Sequence, residues 1–189
     1  MRFPQSHRSL PLASAALLAA VLTVAGCHQQ AAHPDQKPMV TTALSSNNLG
    51  NVSVSQDRDK GVITLTGNVE TSDLKTQAET LARQAAPDYT IANEIGVRPS
   101  GDESQARAVS SNLDSAIEKN FKAAIKAHKA LDDQSIDYKA KNGTLVLSGS
   151  VKTGAQKIEA ESLAKKVPNV QQVVNEIEVK PGKHSSANS

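Results

Sequence analysis

Residues 61–99 read GVITLTGNVETSDLKTQAETLARQAAPDYTIANEIGVRP, and this stretch decides the fold because the chain contains it twice. Shifted by 82 positions, it aligns without a gap with residues 143–181, which read GTLVLSGSVKTGAQKIEAESLAKKVPNVQQVVNEIEVKP. Fifteen of the 39 aligned pairs are identical. Self-similarity at a fixed spacing indicates an internal repeat, so we expect two copies of one small domain.

The beginning of each copy predicts a β-hairpin. In the first copy Ile63, Leu65 and Val69 share one phase of an alternating segment, and polar side chains occupy the other phase. Such alternation is typical of a strand with one buried face. Residues 52–54 alternate as well, and the polar residues 57–61 predict the turn that joins the two strands.

The remainder of each copy predicts a helix followed by a strand. Thr71 begins a segment with apolar residues at helical spacing, and in the second copy Thr153 and Gln156 have the spacing of a capping box. Residues 91–97 alternate again as a last strand. Because strand–helix–strand crossovers in one sheet are right-handed and join parallel strands, the second and third strands are expected to be parallel, with the helix on one face.

A further helix is predicted before each hairpin. In the second copy it is long and capped by Ser111, with an apolar stripe formed by Leu113, Ile117, Phe121, Ala124, Ile125 and Leu131. In the first copy it is short, at residues 38–46. The predicted fold is therefore α+β: two tandem α-β-β-α-β domains, each a three-stranded mixed sheet with two helices on one face.

The N-terminus predicts a lipoprotein signal peptide at residues 1–26. Basic residues precede an apolar run at 10–24, which is shorter than the about 20 apolar residues of a membrane-spanning helix. Val24-Ala25-Gly26-Cys27 resembles the bacterial lipobox, in which the cysteine is acylated and becomes the first mature residue. By this resemblance Cys27, the sole cysteine, is the lipid attachment site; the alternative is an ordinary signal peptide with a chance cysteine.

Two acyl chains or more would make such an anchor stable. His28 follows Cys27 at the position where, in enterobacteria, an aspartate signals retention in the inner membrane. By that analogy we expect attachment to the outer membrane, facing the periplasm.

The order of elements, the LTGNV and LSGSV strands and the NEIGV and NEIEV endings together resemble the BON domain. The resemblance covers roughly residues 36–99 and 113–180. A lipobox followed by two such domains is similar to the dual-BON outer-membrane lipoproteins of bacteria. The predicted layout is a signal peptide (1–26), a membrane tether (27–37), a first BON-like domain (38–99), a polar linker (100–112), a second BON-like domain (113–180) and a disordered tail (181–189).

Composition and motifs argue against several functional classes. Once Arg2 and Arg8 leave with the signal peptide, 19 basic and 19 acidic residues remain, which does not support a nucleic-acid binder. The five histidines lack metal-ligand spacing, and there is no second cysteine for a thiolate site. No phosphate-binding loop or nucleophile elbow is present. We therefore expect no enzymatic activity, no cofactor and no metal.

A basic stripe lies in the predicted first helix of the second domain and consists of Lys119, Lys122, Lys126 and Lys129. Charged stripes are usually solvated helix faces. The alternative is a contact with anionic phospholipid head groups, where each lysine contributes about 1 kcal/mol. A tether raises the effective concentration of the domain at the membrane, so this stripe is the candidate lipid contact.

The resemblance implies a non-enzymatic module that binds phospholipid membrane surfaces and supports outer-membrane integrity and envelope stress tolerance. An alternative is a protein-interaction adaptor that holds an envelope machine through exposed sheet edges. A small ligand between the two domains is a third hypothesis, for which the sequence shows no residue signature.

Asn93 and Asn175 fall in the apolar phase of the last strands, so we expect their amides to tie strand to loop.

Overall fold

The computed structural model describes residues 33–180, and both copies lie within one compact unit. The first copy contains α1 (Lys37–Ser45), β1 (Ser53–Asp57), β2 (Val62–Thr66), β3 (Asn68–Val69), α2 (Ser72–Ala85), β4 (Thr90–Asn93) and β5 (Gly96–Val97). The second contains α3 (Glu103–Ala127), β6 (Ser135–Lys141), β7 (Thr144–Val151), α4 (Gly154–Lys165), β8 (Gln172–Asn175) and β9 (Glu178–Val179). The predicted signal peptide, Cys27 and the 181–189 tail lie outside the described residues.

The strand pairing confirms the α-β-β-α-β prediction in both copies. In the first, β1 is antiparallel to β2 and β4 is parallel to β2, in the order β1-β2-β4. In the second, β6, β7 and β8 repeat this arrangement. The last strand of each copy is interrupted: β5 pairs with β3, and β9 pairs with the end of β7.

Two equivalent glycines allow the second strand of each copy to bend. Gly67 has a φ of +119°, and a Cβ atom there would lie 2.7 Å from the carbonyl oxygen of Asn51. Gly149 has a φ of +93°, and a Cβ atom there would collide with the carbonyl oxygen of Ser135. Only glycine combines this backbone conformation with so close an approach of the hairpin partner.

The crossover helices begin where the sequence predicts. Thr71 caps α2 by accepting a hydrogen bond from the N–H of Leu74 at 3.3 Å. Thr153 and Gln156 form the predicted capping box at the start of α4, which satisfies two of the free N–H groups at that end.

The helix before the second hairpin starts earlier than predicted. The cap at Ser111 is wrong, because α3 begins at Glu103 and most of the predicted 100–112 linker is helical. Residues 103–110 are polar but contain good helix formers and no glycine or proline, so the helix extends through them and contacts β5. Helix α1 spans Lys37–Ser45 rather than 38–46, with proline in its first turn.

Each copy has its own apolar core between the sheet and the two helices. The first core includes Leu44 of α1, Ala78 of α2 and Ile63 of β2. The second is built around Phe121, which meets the ring of Tyr138 edge-on with centroids 5.2 Å apart. A third, smaller cluster lies between the two sheets, on the face of each sheet that points away from its helices. It consists of Val62, Ala92, Val146 and Val174. Each domain therefore covers part of the helix-free face of the other.

Candidate functional site

The two repeated asparagines form equivalent internal networks. The Asn93 side chain, 2% exposed, donates to the carbonyl oxygen of Lys75 at 3.0 Å and to Glu79 Oε2 at 3.1 Å. Its Oδ1 accepts from the N–H of Ile95 at 3.4 Å. The amide thus ties the last strand to both the crossover helix and the following loop, which confirms the predicted structural role.

Asn175 repeats this arrangement in the second domain. Its Nδ2 donates to the carbonyl oxygen of Lys157 and to Glu161 Oε2, both at 3.1 Å, and its Oδ1 accepts from the N–H of Ile177 at 3.2 Å. Hydrogen bonds from Lys165 and then from Asn175 lower the pKa of Glu161 below its usual value. The carboxylate is therefore a fixed acceptor in this network.

The free edge of β4 is closed by side chains of the second domain. Gln172 Oε1 accepts from the N–H of Asn93 at 2.8 Å, and Gln172 Nε2 donates to the carbonyl oxygen of Ile91 at 2.8 Å. Thr144 Oγ1 donates to the carbonyl oxygen of Asn93 at 2.6 Å. Three polar backbone groups of this edge are thus satisfied within the protein.

Polar contacts flank this junction on both sides. On one side Lys60 Nζ lies 2.8 Å from Glu176 Oε2, and this hydrogen bond raises the pKa of Lys60. On the other side Asn142 Nδ2 donates to the carbonyl oxygen of Glu94 at 2.8 Å, and Lys141 Nζ lies 3.0 Å from Glu94 Oε2. Together with the third apolar cluster, these contacts join the two domains.

A groove of about 600 Å³ opens beside the junction, between the first half of α3, the end of the first domain and the loop before β8. Its apolar wall consists of Ile95, Val97, Ala106, Val109, Leu113 and Val170. Val109 and Leu113 are 53% and 41% exposed, although both are apolar and lie one turn apart on α3. We refer to this feature as the α3 groove.

Two cations converge on Asn142 at the polar side of the α3 groove. Lys75 Nζ donates to the carbonyl oxygen of Asn142 at 2.7 Å, and Arg98 Nη2 donates to Asn142 Oδ1 at 3.1 Å and to Ser110 Oγ at 3.0 Å. Within residues 33–180 neither cation has a carboxylate oxygen within 4 Å. Burial lowers the pKa of the Lys75 ammonium.

The remaining charged groups of the groove are two acids. Asp114 accepts from the backbone N–H groups of Asn142 at 2.8 Å and Gly143 at 3.0 Å, so its carboxylate is already engaged. Asp102 lies at the N-cap of α3. Arg98 also has a buried Nε atom for which residues 33–180 supply no acceptor. The groove therefore has an apolar wall and two positive groups without a direct counter-ion in this part of the chain.

The predicted lysine stripe lies on the outer surface of the second domain. Lys119, Lys122 and Lys126 are exposed on α3, opposite the buried Phe121, whereas Lys129 follows the end of the helix at Ala127. None of the four forms an ion pair with another described residue. They form a local positive surface, which we call the lysine face. Cys27, the predicted attachment site, lies outside the described residues.

Sequence reasoning missed the α3 groove because its lining comes from two domains whose packing is not encoded in any single motif. Val109 and Leu113 carried a weak signal, since apolar residues four apart in a polar segment are compatible with a helix face.

Between residues 33 and 180, no helix is long and apolar enough to cross a membrane. The same residues contain no group of three or more His, Cys, Asp or Glu side chains able to hold a metal ion.

Known proteins from two organisms are similar to this chain in sequence. The chain is 27% identical over 137 residues to osmotically-inducible protein Y of Escherichia coli K12, covering 72% of this chain and 67% of that protein. It is 27% identical over 124 residues to an uncharacterised Anaplasma centrale protein from the gshII 5′ region, covering 66% of this chain and 80% of that protein.

Among solved structures, CdsD, a structural protein of the type III secretion system of Chlamydia trachomatis, aligns at 12% identity with a TM-score of 0.33. The alignment covers 77% of this chain and 92% of the CdsD chain. The BON domain family matches residues 36–99 and 113–181, which together make up most of the chain. The protein belongs to the BON domain family and carries two copies of the domain.

Proposed function

We propose that this protein is a lipid-anchored module of the bacterial envelope that binds phospholipid membrane surfaces and supports outer-membrane integrity under stress. The observation that carries the proposal is the lysine face, which presents exposed cations on a helix whose opposite side is fixed in the core. Membership of the BON family and the similarity to an osmotically inducible protein support an envelope stress role.

The mechanism rests on electrostatics at short range. A basic surface near a bilayer that contains anionic lipids gains about 1 kcal/mol per lysine, and salt screens the attraction over about 10 Å at 0.1 M ionic strength. Because Lys119, Lys122 and Lys126 project from one rigid helix, they can approach the same plane together. Acylation of Cys27 would keep this weak surface continuously close to lipid.

Vesicle flotation of the mature, unlipidated chain tests the membrane part of the proposal. Binding to vesicles with phosphatidylglycerol is expected to exceed binding to phosphatidylcholine vesicles and to fall with added salt. Replacing Lys119, Lys122, Lys126 and Lys129 by Gln should abolish the difference. A control with the same change of charge replaces four lysines outside α3: Lys37, Lys157, Lys166 and Lys180. Equal binding by both variants would reject the lysine face as the contact.

The anchor is tested separately in cells. Mass spectrometry of the purified protein should find an acylated N-terminal Cys27, and Cys27→Ser should release the protein from the outer-membrane fraction. Recovery of an unmodified Cys27 in a cleaved, freely extractable chain would show that the lipobox resemblance misleads. Because this readout is independent of the lysine face, either half of the proposal can fail alone.

A second candidate function, the protein-interaction adaptor, is favoured by the outer edge of β6. This strand has seven residues and lies at the edge of its sheet. The N–H of Ala140 on that edge donates to Glu118 Oε1 at 3.0 Å, and by strand alternation Tyr138 directs its backbone groups to the same edge. A partner strand could pair there beside Tyr138, and with Ala140 if it displaces Glu118. Crosslinking from Ser135 or Asp137 to a specific envelope protein, without lipid binding, would favour the adaptor.

A further inference from the structure

The α3 groove has two chemically different parts that no single simple ligand would satisfy. A purely apolar ligand would cover Val109 and Leu113 but leave Lys75 and Arg98 facing it without a directly bonded counter-ion. A small inorganic anion would meet the cations but leave the apolar wall in water. Burial of exposed apolar surface and neutralisation of half-buried cations are both favourable, so the ligand that fits carries both features.

We propose that the α3 groove binds one acyl chain that bears an anionic group, such as a fatty-acid carboxylate or the phosphate of a monoacyl phospholipid. The acyl chain lies along the apolar wall, and the anion lies beside Lys75 and Arg98. The volume of about 600 Å³ lies within the about 300–1,000 Å³ typical of small-molecule sites.

The electrostatics of the site favour an anion over a neutral head group. The planar guanidinium of Arg98 suits carboxylate and phosphate oxygens. Its buried Nε–H has no acceptor among the described residues. Two backbone N–H groups occupy the oxygens of Asp114, whose charge, with that of Glu79, partly offsets the lowering of the Lys75 pKa by burial. Asp102 also lines the groove, at the start of α3.

This inference does not rest on the proposed function. The α3 groove uses the first half of α3 and the junction of the domains, whereas the lysine face uses the second half of α3. The groove takes single lipid molecules from solution, and the lysine face meets a bilayer. A variant of one surface should therefore leave the other intact.

The experiment measures binding of four probes to the mature, unlipidated chain by calorimetry below their critical micelle concentrations. Oleate offers a carboxylate, oleoyl lysophosphatidylglycerol offers a phosphate, monoolein has the same chain without charge, and glycerol 3-phosphate is a head group alone. We expect saturable binding of one molecule per chain for at least one of the two anionic lipids, and the stronger of the two identifies the source of the anion. Monoolein lacks the charge-assisted contact and glycerol 3-phosphate lacks the buried acyl chain, so each should bind at least about tenfold more weakly.

Variants locate the site without disturbing the core. Val109→Gln and Leu113→Gln change exposed positions of the groove, and Ile158→Gln is the matched control, since Ile158 is 69% exposed on α4 and does not line the groove. The first two should weaken binding at least about tenfold, and the control should not. Melting temperatures of all three verify folding. Methyl NMR signals of Val109 and Leu113 should shift on titration, whereas those of Ile158 should not.

Three results would overturn the proposal. Monoolein binding as tightly as the anionic lipids would show that charge is not recognised. Equal binding by the groove variants and the Ile158→Gln control would place the lipid elsewhere. A dimer in sedimentation experiments that dissociates on Val109→Gln would show that a second copy of the chain covers the wall.

Discussion

The side-chain amide of Gln172 takes the place of a neighbouring strand for Asn93. Its oxygen accepts the Asn93 N–H at 2.8 Å, while its nitrogen donates to the carbonyl oxygen of Ile91 at 2.8 Å. One side chain thus satisfies a donor and an acceptor that an edge strand normally exposes. At the equivalent position of the first copy, 82 residues earlier, stands the shorter and exposed Thr90.

Replacing Gln172 by Ala is expected to destabilise the protein by about 1–3 kcal/mol, because it leaves a buried backbone N–H and a carbonyl oxygen without partners. Urea unfolding followed by circular dichroism measures the free energy of unfolding. Thr90→Ala is the matched control and should change it by less than about 0.5 kcal/mol. Equal effects of the two substitutions would refute the bridging role of Gln172.

The two asparagine networks should differ in their coupling to the domain junction. Asn93→Ala and Gln172→Ala affect bonds that meet at the same residue, so their effects on the unfolding free energy should deviate from additivity by at least about 0.5 kcal/mol. Asn175→Ala combined with Gln172→Ala should be additive within about 0.5 kcal/mol, since Asn175 bonds to a separate set of groups. A double-mutant cycle checks both; identical coupling in the two cycles would contradict the assignment.

Gly149→Ala should be strongly destabilising, and Gly154→Ala should not. Gly149 combines a positive φ with a near collision of any Cβ atom against Ser135, and the backbone strain alone costs about 1–3 kcal/mol. At Gly154, in the first turn of α4, a Cβ atom would meet nothing within 4 Å, so alanine should be neutral or stabilise by up to about 1 kcal/mol. The melting temperatures should move in opposite directions or at least differ clearly; equal losses would argue against the collision.

Glu161 should make stability depend on acid pH. Its folded pKa lies below the ordinary value of 4.5, chiefly because Lys165 donates a hydrogen bond to it and secondarily because Asn175 does. The ionised form is thus stabilised in the folded state. This contribution is present above the unfolded pKa and is lost as the pH falls through the folded pKa. Glu161→Gln should flatten the decline of melting temperature between about pH 5 and pH 3; parallel declines would exclude the effect.

The local elements were predictable because their signals are local. Alternation at Ile63 and Leu65 and the Thr153–Gln156 capping box are properties of short segments, and the repeat supplied the strand and helix patterns twice. The start of α3 at Glu103 was missed because a polar helix with little burial has the composition of a linker. Gln172 and the α3 groove depend on which surface of one domain meets the other, and Thr90, the repeat partner of Gln172, has no equivalent role. Periodicity within one copy therefore could not reveal them.

The flanking contacts of the junction have a further consequence when they are compared across the repeat. Lys60 contacts Glu176, and Asn142 contacts Glu94. Position 142 is the repeat copy of position 60, and position 176 is the repeat copy of position 94, each 82 residues later. The two contacts are therefore the same pair of positions with the two halves of the chain exchanged. The flanking contacts are therefore isologous, with equivalent positions used by both halves, as in a two-fold symmetric homodimer. The tandem chain has the internal geometry of a dimer whose subunits are covalently joined, and that linkage permits each half to differ where an unfused dimer must remain identical.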